Sequence, residues 1–358
     1  MVNPNTQINL KTHLTQLSEL HAPSGYETPV RELLQQTWQP LVDSFEVGKL
    51  GSLVATKHGK QGSGSARRIM LCAHMDEIGM IVHGIDRGFL RVSRLGGIDA
   101  RTLPGLPVIV HGREPLRGVV GLQPAHTLKE DEHAHYADLK HLVIDVGLSA
   151  EQVAEQVRVG DIVTLDLPVL ALAGDRLAGK AFDDRACIAV ITVCLEALQS
   201  RQHSWDVLAV ASVQEEVGSF GARTEAFRLN PDIAIALDVT FGTQPGVDSD
   251  AFKLGDGPPI SLGANFHPML FTAIEAAAAR LEMTLQHDPI PMFSGTDAWP
   301  IQTSQNGIPT ALLNIPIRNM HSTVETVDLR DITRAGRLLA EFIAGLDDNF
   351  LSTIVWDG

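Results

Sequence analysis

Cysteine is scarce in this 358-residue sequence, which holds three and no CxxC pair. Cys72, Cys187 and Cys194 each lie inside an apolar stretch. They read as small core residues of a protein kept in a reducing compartment. Positive charge is short as well: 28 Lys and Arg stand against 43 Asp and Glu, for a formal net charge of -15. That balance argues against nucleic acid or an anionic membrane surface as a partner. No apolar run approaches the ~20 residues needed to span a bilayer. The opening residues, MVNPNTQINL, lack the charged segment and apolar core of a signal peptide, so the cytoplasm is the expected location. Internal repeats and low-complexity segments are absent too. With 44 % hydrophobic and 20 % charged residues the composition is that of a globular protein, and the length leaves room for two domains.

Apolar periodicity organises what is there. Ile8, Leu10, Leu14, Leu17 and Leu20, then Val30, Leu33, Leu34 and Trp38, recur at helical spacing around a break at Pro23-Ser24-Gly25. Strand-like runs follow at 44–48 and 52–57, then a polar, glycine-rich hairpin tip at 59–66. Next comes a buried strand, Arg68 to Ala73, that delivers His74-Met75-Asp76. From about 78 to 170 the runs shorten and alternate between Gly, Pro and Asp, which predicts a small inserted β domain of barrel type. Within it, residues 126–141 gather His126, His133, His135 and His141 among acids and lysines. Lacking an apolar scaffold, that stretch reads as a mobile surface loop in preference to a second metal site. Beyond it, buried strands at Val207–Val213, Ile233–Leu237, near 284–290 and at Pro309–Ile315 alternate with helices at 267–283 and 328–345. The pattern predicts an α/β fold.

Several strands end in a potential ligand. His74 ends one, with Asp76 on the same face and able to accept its second ring N–H. Glu215 and Glu216 directly follow another, Asp238 ends a third, and His321 lies just beyond the last. Asp183 falls on the loop before an apolar helix, where its two oxygens could bridge two cations. Asp184, one residue on, suits the positive end of the helix dipole. If the strands share one sheet, their C-terminal ends converge on one rim. Two histidines and three carboxylates suit a pair of borderline divalent ions, zinc or cobalt. Such a pair can lower the pKa of a held water and polarise a carbonyl. Metal-assisted hydrolysis also needs a base that is not a ligand, and adjacent Glu215 and Glu216 offer that division of labour.

Taken in order, AHMDEIGM, GKAFDDRAC, QEEVGSFGA, ALDVT, SGTDA and RNMHSTVE resemble the dinuclear-metal aminopeptidases that form tetrahedral (TET) particles. That family includes glutamyl and deblocking aminopeptidases and members labelled endo-1,4-β-glucanase. The resemblance covers nearly the whole chain. It implies a zinc-peptidase-like α/β/α catalytic domain from residues 1–77 and 171–358, with 78–170 as a dimerisation domain whose dimers build a dodecamer. Carried over by position, His74, Asp183 and Asp238 would hold one ion, and Asp183, Glu216 and His321 the other. Glu215 would be the general base and Asp76 would orient His74. Asp297 would line or support the substrate pocket, together with Arg318.

The leading expectation is removal of N-terminal residues from peptides. A related two-metal amidohydrolase or deacylase is the alternative. An endoglucanase would need a protonated acid and a facing nucleophile or base, not a His-rich cage. A non-catalytic binding protein would be favoured by a missing ligand or base, and none is missing.

Overall fold

The structure is a computed structural model that describes residues 8–60, 67–122, 126, 138–247 and 251–356. Two helices, α1 (Leu10–Glu19) and α2 (Thr28–Trp38), open it on either side of the Pro23-Ser24-Gly25 break. A hairpin of β1 (Ser44–Val47) and β2 (Leu53–Lys57) leads to β3 (Arg68–His74). Six strands follow: β4 (Gly79–Asp86), β5 (Phe89–Leu95), β6 (Pro107–His111), β7 (Pro115–Leu122), β8 (Leu142–Asp145) and β9 (Ile162–Leu165). They close into a barrel in the order β4-β5-β8-β7-β6-β9. Its interior is a separate apolar cluster built on Met80, Leu90, Val108, Val110, Ile144 and Val163. Between β8 and β9 lies a helix the apolar pattern does not announce, α3 (Ala150–Gln156), started by a capping box of Ser149 and Gln152. Of the 126–141 stretch, His126 and residues 138–141 are described, so the surface-loop expectation otherwise falls outside the described residues.

The chain then returns through β10 (Leu170–Ala171) and β11 (Arg176–Gly179) to α4 (Phe182–Ala197). Strand and helix alternate thereafter: β12 (Asp206–Ser212), α5 (Phe220–Leu229), β13 (Ile233–Phe241), β14 (Pro259–Leu262) and α6 (Pro268–Arg280). β15 (Gln286–Pro289), α7 (Ala298–Gln302), β16 (Thr310–Ile317), β17 (Glu325–Asp328), α8 (Leu329–Ala344) and α9 (Phe350–Thr353) complete it. Eight strands form one sheet, β1-β2-β12-β3-β13-β16-β14-β15, parallel from β12 to β16.

Period-two alternation sorts this sheet between two helix layers. Ile69, Leu71 and Ala73 of β3 join the core under α1, α4, α6 and α8, as do Val207, Ala209 and Ala211 of β12. Met70, Cys72, Leu208, Val210, Ala234 and Ala236 face the opposite layer of α5 and α7. The result is three layers, α/β/α. α8 packs closely on α4 because Gly336 has no side chain; a Cβ there would lie 2.6 Å from Val193. A smaller sheet, β10-β11-β17, lies outside the expected set, since β17 is four residues long and carries no apolar repeat.

Three buried charges tie the first helices to the sheet. Arg185 donates to the carbonyls of Leu17, Leu20 and Met75 at 2.8, 2.7 and 3.0 Å and to Glu77 at 3.3 Å. Lys180 donates to Glu77 at 2.7 Å and to the Leu20 carbonyl at 2.9 Å. Ions this deep persist only when paired and fully hydrogen-bonded. No helix among the described residues is long and apolar enough to cross a membrane.

Candidate metal centre and substrate cleft

The candidate ligands meet where β3, β13 and β16 end. β3 and β13 pair as far as Cys72 and Ala236. Two residues further along each strand are His74 and Asp238, so parallel register alone brings them level. Here the structure differs from expectation: β13 does not stop at Asp238 but runs on to Phe241, held by β16 after β3 has ended.

Asp183 reaches the same point from α4, whose start is irregular. Ala181 takes a left-handed conformation (φ 57°), Asp183 and Asp184 are not helical, and the peptide between them is cis. Asp184 therefore does not cap the helix as its place in the sequence suggests. It is fully buried and accepts the His74 backbone N–H at 3.1 Å.

Asp183 presents one oxygen to each histidine. Its Oδ1 lies 3.2 Å from His74 Nε2 and its Oδ2 3.1 Å from His321 Nε2. His321 Nε2 is also 3.7 Å from Glu216 Oε1. Two trios of donor atoms thus lie within 4.8 Å of one another: His74, Asp183 and Asp238, and Asp183, Glu216 and His321. Donors each about 2.0–2.1 Å from a tetrahedral ion sit roughly 3.3 Å apart, so both trios have the spacing and the mixed N/O chemistry for a borderline divalent ion. Glu215 belongs to neither. Its Oε1 accepts from the Ser219 hydroxyl at 3.0 Å, while Oε2 faces His74 Nε2 at 3.9 Å.

Each of these side chains except Asp238 has its backbone N–H held by a buried carboxylate. Asp184 takes that of His74; Asp76 takes Glu215 at 3.0 Å and Glu216 at 3.1 Å. Glu325 takes Asp183 at 3.1 Å and His321 at 2.9 Å. Asp76 also lies beside the other ring nitrogen of His74, with Nδ1 3.1 Å from its carbonyl and 3.4 Å from Oδ1. Glu27 supports the same turn from the other side, accepting from Gln214, whose φ is 59°.

Crowded acids titrate accordingly. Burial pushes the Glu215 carboxyl up to about 8 and Glu216 up to about 7, the latter also repelled by Asp183. Burial likewise raises Asp238 well above the usual carboxylate range, with Asp184 adding to it. For Asp183 burial works the other way from its partners, and the bonds from His321 and His74 prevail, holding it below that range. The bond to Asp183 raises His321 to about 9. This excess of negative charge fits cations well.

The donors open onto a cleft of about 670 Å³. Val239, Phe241, Ile290, Phe293, Leu312 and Met320 give it apolar walls, and no Lys or Arg lines it among the described residues. Asp288, which sequence spacing does not mark, joins the candidate donors as a further acid of the lining. Asp297 lies beneath, not in, the lining, accepting from Ser212 at 2.6 Å. Arg318 is also outside the lining; its Nε donates to the Thr243 carbonyl at 2.9 Å. The turn after β5 closes the last side. A Cβ at Gly97 would lie 2.6 Å from the His321 ring, and one at Gly96 3.1 Å from Glu216 Oε2. His126 and His141 join neither trio.

Glu325, Glu27 and the part played by Asp184 escape a reading of sequence spacing. None sits at the end of a recognisable strand, and each acts on main-chain groups, which leave no mark on residue choice nearby.

This α/β/α sheet with acids and histidines at its rim is the architecture of a peptide hydrolase. The chain belongs to the M42 glutamyl aminopeptidase family, whose profile matches residues 51–338, and the M42 peptidases are metallo-enzymes. It is 37 % identical over 322 residues to a lysyl aminopeptidase of Pyrococcus furiosus, covering 88 % of this chain and 91 % of that one. Its fold is similar to a TET aminopeptidase from a marine sediment archaeon of the Thaumarchaeota, with a TM-score of 0.90 at 31 % identity over 97 % and 99 % of the two chains. A TET peptidase of Pyrococcus horikoshii, described as assembling into a tetrahedron or a large octahedral shell, aligns with a TM-score of 0.82 at 30 % identity over 94 % and 100 % of the chains.

Proposed function

We propose that this protein is a two-ion aminopeptidase that removes N-terminal residues from peptides. The observation that carries this reading is Asp183, whose two oxygens face two different histidines 3.2 and 3.1 Å away. His74, Asp183 and Asp238 would hold one ion and Asp183, Glu216 and His321 the other, zinc or cobalt by donor type. Bound ions of this kind supply a water of lowered pKa and polarise the scissile carbonyl.

The chain's own groups do the rest. Asp76 fixes the ring of His74 and, through two backbone N–H bonds, the turn carrying both glutamates. Ser219 orients Glu215 so that its free oxygen faces the reacting centre. Glu215 takes the proton of the attacking water and returns it to the departing amine. Positive charge alongside favours its ionised form over the raised value that burial and the neighbouring carboxylates impose. Asp297 supports the floor through Ser212. Arg318 braces the Thr243 segment through its Nε.

The acidic cleft, with no lining Lys or Arg among the described residues, favours the ammonium of a free N-terminus. A carboxypeptidase-like enzyme would need a cation for the C-terminal carboxylate, which weighs against that alternative. Residues 1–77 and 171–358 form the catalytic part in this reading, and 78–170 the assembly part of a homo-oligomer, a dodecamer built from dimers by analogy with TET particles.

Chelator-sensitive release of chromophore from aminoacyl anilides tests the activity, against N-acyl anilides and cellulose as competitors. Cleavage of the N-acyl set at comparable rates would turn the assignment towards a deacylase. Light scattering that finds a monomer across micromolar concentrations would remove the assembly part.

A further inference from the structure

We infer that Glu325 is a positioning residue that sets Asp183 and His321 against each other, and so governs the ion shared by Asp183, Glu216 and His321. This rests on the two-ion reading above. Glu325 is 1 % exposed, and its two oxygens are divided between two backbone N–H groups, Oε2 on Asp183 and Oε1 on His321. Those two segments come from distant parts of the chain, and neither is regular. Asp183 follows the left-handed Ala181, and His321 is itself left-handed, with φ 59°. Non-glycine residues hold such conformations only where their surroundings over-determine them.

The short strand carrying Glu325 is stitched to both approaches. Glu325 pairs with Gly179 of β11, four residues before Asp183. Its neighbour Thr326 exchanges both backbone hydrogen bonds with Arg318 at 3.0 Å, three residues before His321. One planar carboxylate on a fixed strand therefore spans the two backbones at a set separation. Asp76 and Asp184 do the corresponding work elsewhere, but neither bonds the backbone of Asp183 or His321. Losing Glu325 frees Asp183 Oδ2 from its alignment with His321, while His74 stays held by its strand and by Asp184.

Groups that orient ligands are typically worth 10–100-fold in metal affinity. The test is a stepwise cobalt(II) titration of the metal-stripped, full-length protein, followed by absorbance and calorimetry. Wild type is compared with Glu325→Ala, Glu325→Gln and His321→Ala. The expected result is two uptake steps in wild type, with the weaker one in Glu325→Ala displaced by about 10–100-fold and the stronger one moving far less. Its spectrum should change as that of His321→Ala does. Glu325→Gln, which keeps one acceptor oxygen, should fall between. Two unchanged steps in Glu325→Ala overturn the proposal. So does an equal weakening of both steps with a lower melting temperature of the metal-stripped variant, the mark of a merely structural residue. Should Glu325→Ala not fold, the Glu325→Gln titration decides by the same criteria. Wild type that takes up fewer than two ions overturns the two-ion reading itself, an outcome distinct from a failure of Glu325.

Discussion

The two halves of the site share Asp183 and differ in almost everything else. His74 and Asp238 project from neighbouring buried strands at the centre of the sheet, and the His74 side chain is 2 % exposed. Glu216 and His321 sit on loops facing the cleft, and the His321 side chain is 35 % exposed. Strands fix side chains more tightly than loops, and burial withholds water from the ligand atoms. In the proposed reading the first trio is the retaining half and the second the exchangeable half. Glu215, the proposed base, adjoins Glu216 of the loop half, so the proposed chemistry lies on that side of the site.

The sharpest break in that comparison separates Glu215 from Glu216. Glu215→Gln should lower kcat by roughly 10²–10⁴-fold, the usual worth of a positioned base, with metal content intact. Glu216→Gln should instead lose the ion of the loop half. If the two variants behave alike in elemental analysis, the division of roles between them is wrong. A smaller effect distinguishes the histidines. His321→Ala should retain one ion per chain after dialysis at low chelator concentration, whereas His74→Ala should be depleted of the more tightly held one. Competition with a chromogenic chelator reads the difference, expected at about 10-fold or more in dissociation constant. Equal affinities in the two variants would erase the contrast between strand-held and loop-held halves.

The smallest effect is a control outside the site. The Thr192 hydroxyl gives its single proton to the Ile188 carbonyl and accepts from Trp38, so His13 Nε2, 3.1 Å away, must be a donor to it. Burial lowers His13 from 6.5 to about 4. A folded value below the unfolded one means the unfolded chain binds more protons, so stability falls with pH once it drops below about 6.5 and continues to fall towards 4. The first pH unit of that fall should cost about 1 kcal/mol. Burial lowers His21 from 6.5 to about 4 as well, so urea unfolding at pH 7 and 5.5 should show a slope from both groups that His13→Asn reduces by its share. A slope unchanged in the variant would assign the pH dependence elsewhere.

Much of this was legible because the sheet is buried on both faces. Runs such as Arg68 to Ala73 and Val207 to Val213 stand out as continuous apolar stretches, and candidate ligands follow them directly. The barrel was legible from the shortness of its runs. Asp238 was identified even though its strand runs three residues further, because register, not strand length, sets its place. What stayed hidden depends on backbone geometry: the irregular entry to α4 that turns Asp184 inward, the four-residue β17, and the carboxylates of Glu27 and Glu325 whose partners are main-chain N–H groups. Arg318 stood out through its motif, yet its side chain braces a carbonyl. The capping box at Ser149 was present in the sequence, and apolar periodicity alone passed over it.

The glycines that end β5 make the barrel a wall of the cleft. At 97 there is no room for even a methyl group beside the His321 ring, and at 96 almost none beside Glu216. With so little room at the seam, a tilt of the barrel would press on both side chains. A strain applied to the barrel, by a neighbour pressing on its outer surface or by a substitution at its seam, would be delivered as a sub-ångström displacement of an imidazole and a carboxylate. The module that would organise a particle and the atoms that would organise the chemistry meet at this seam.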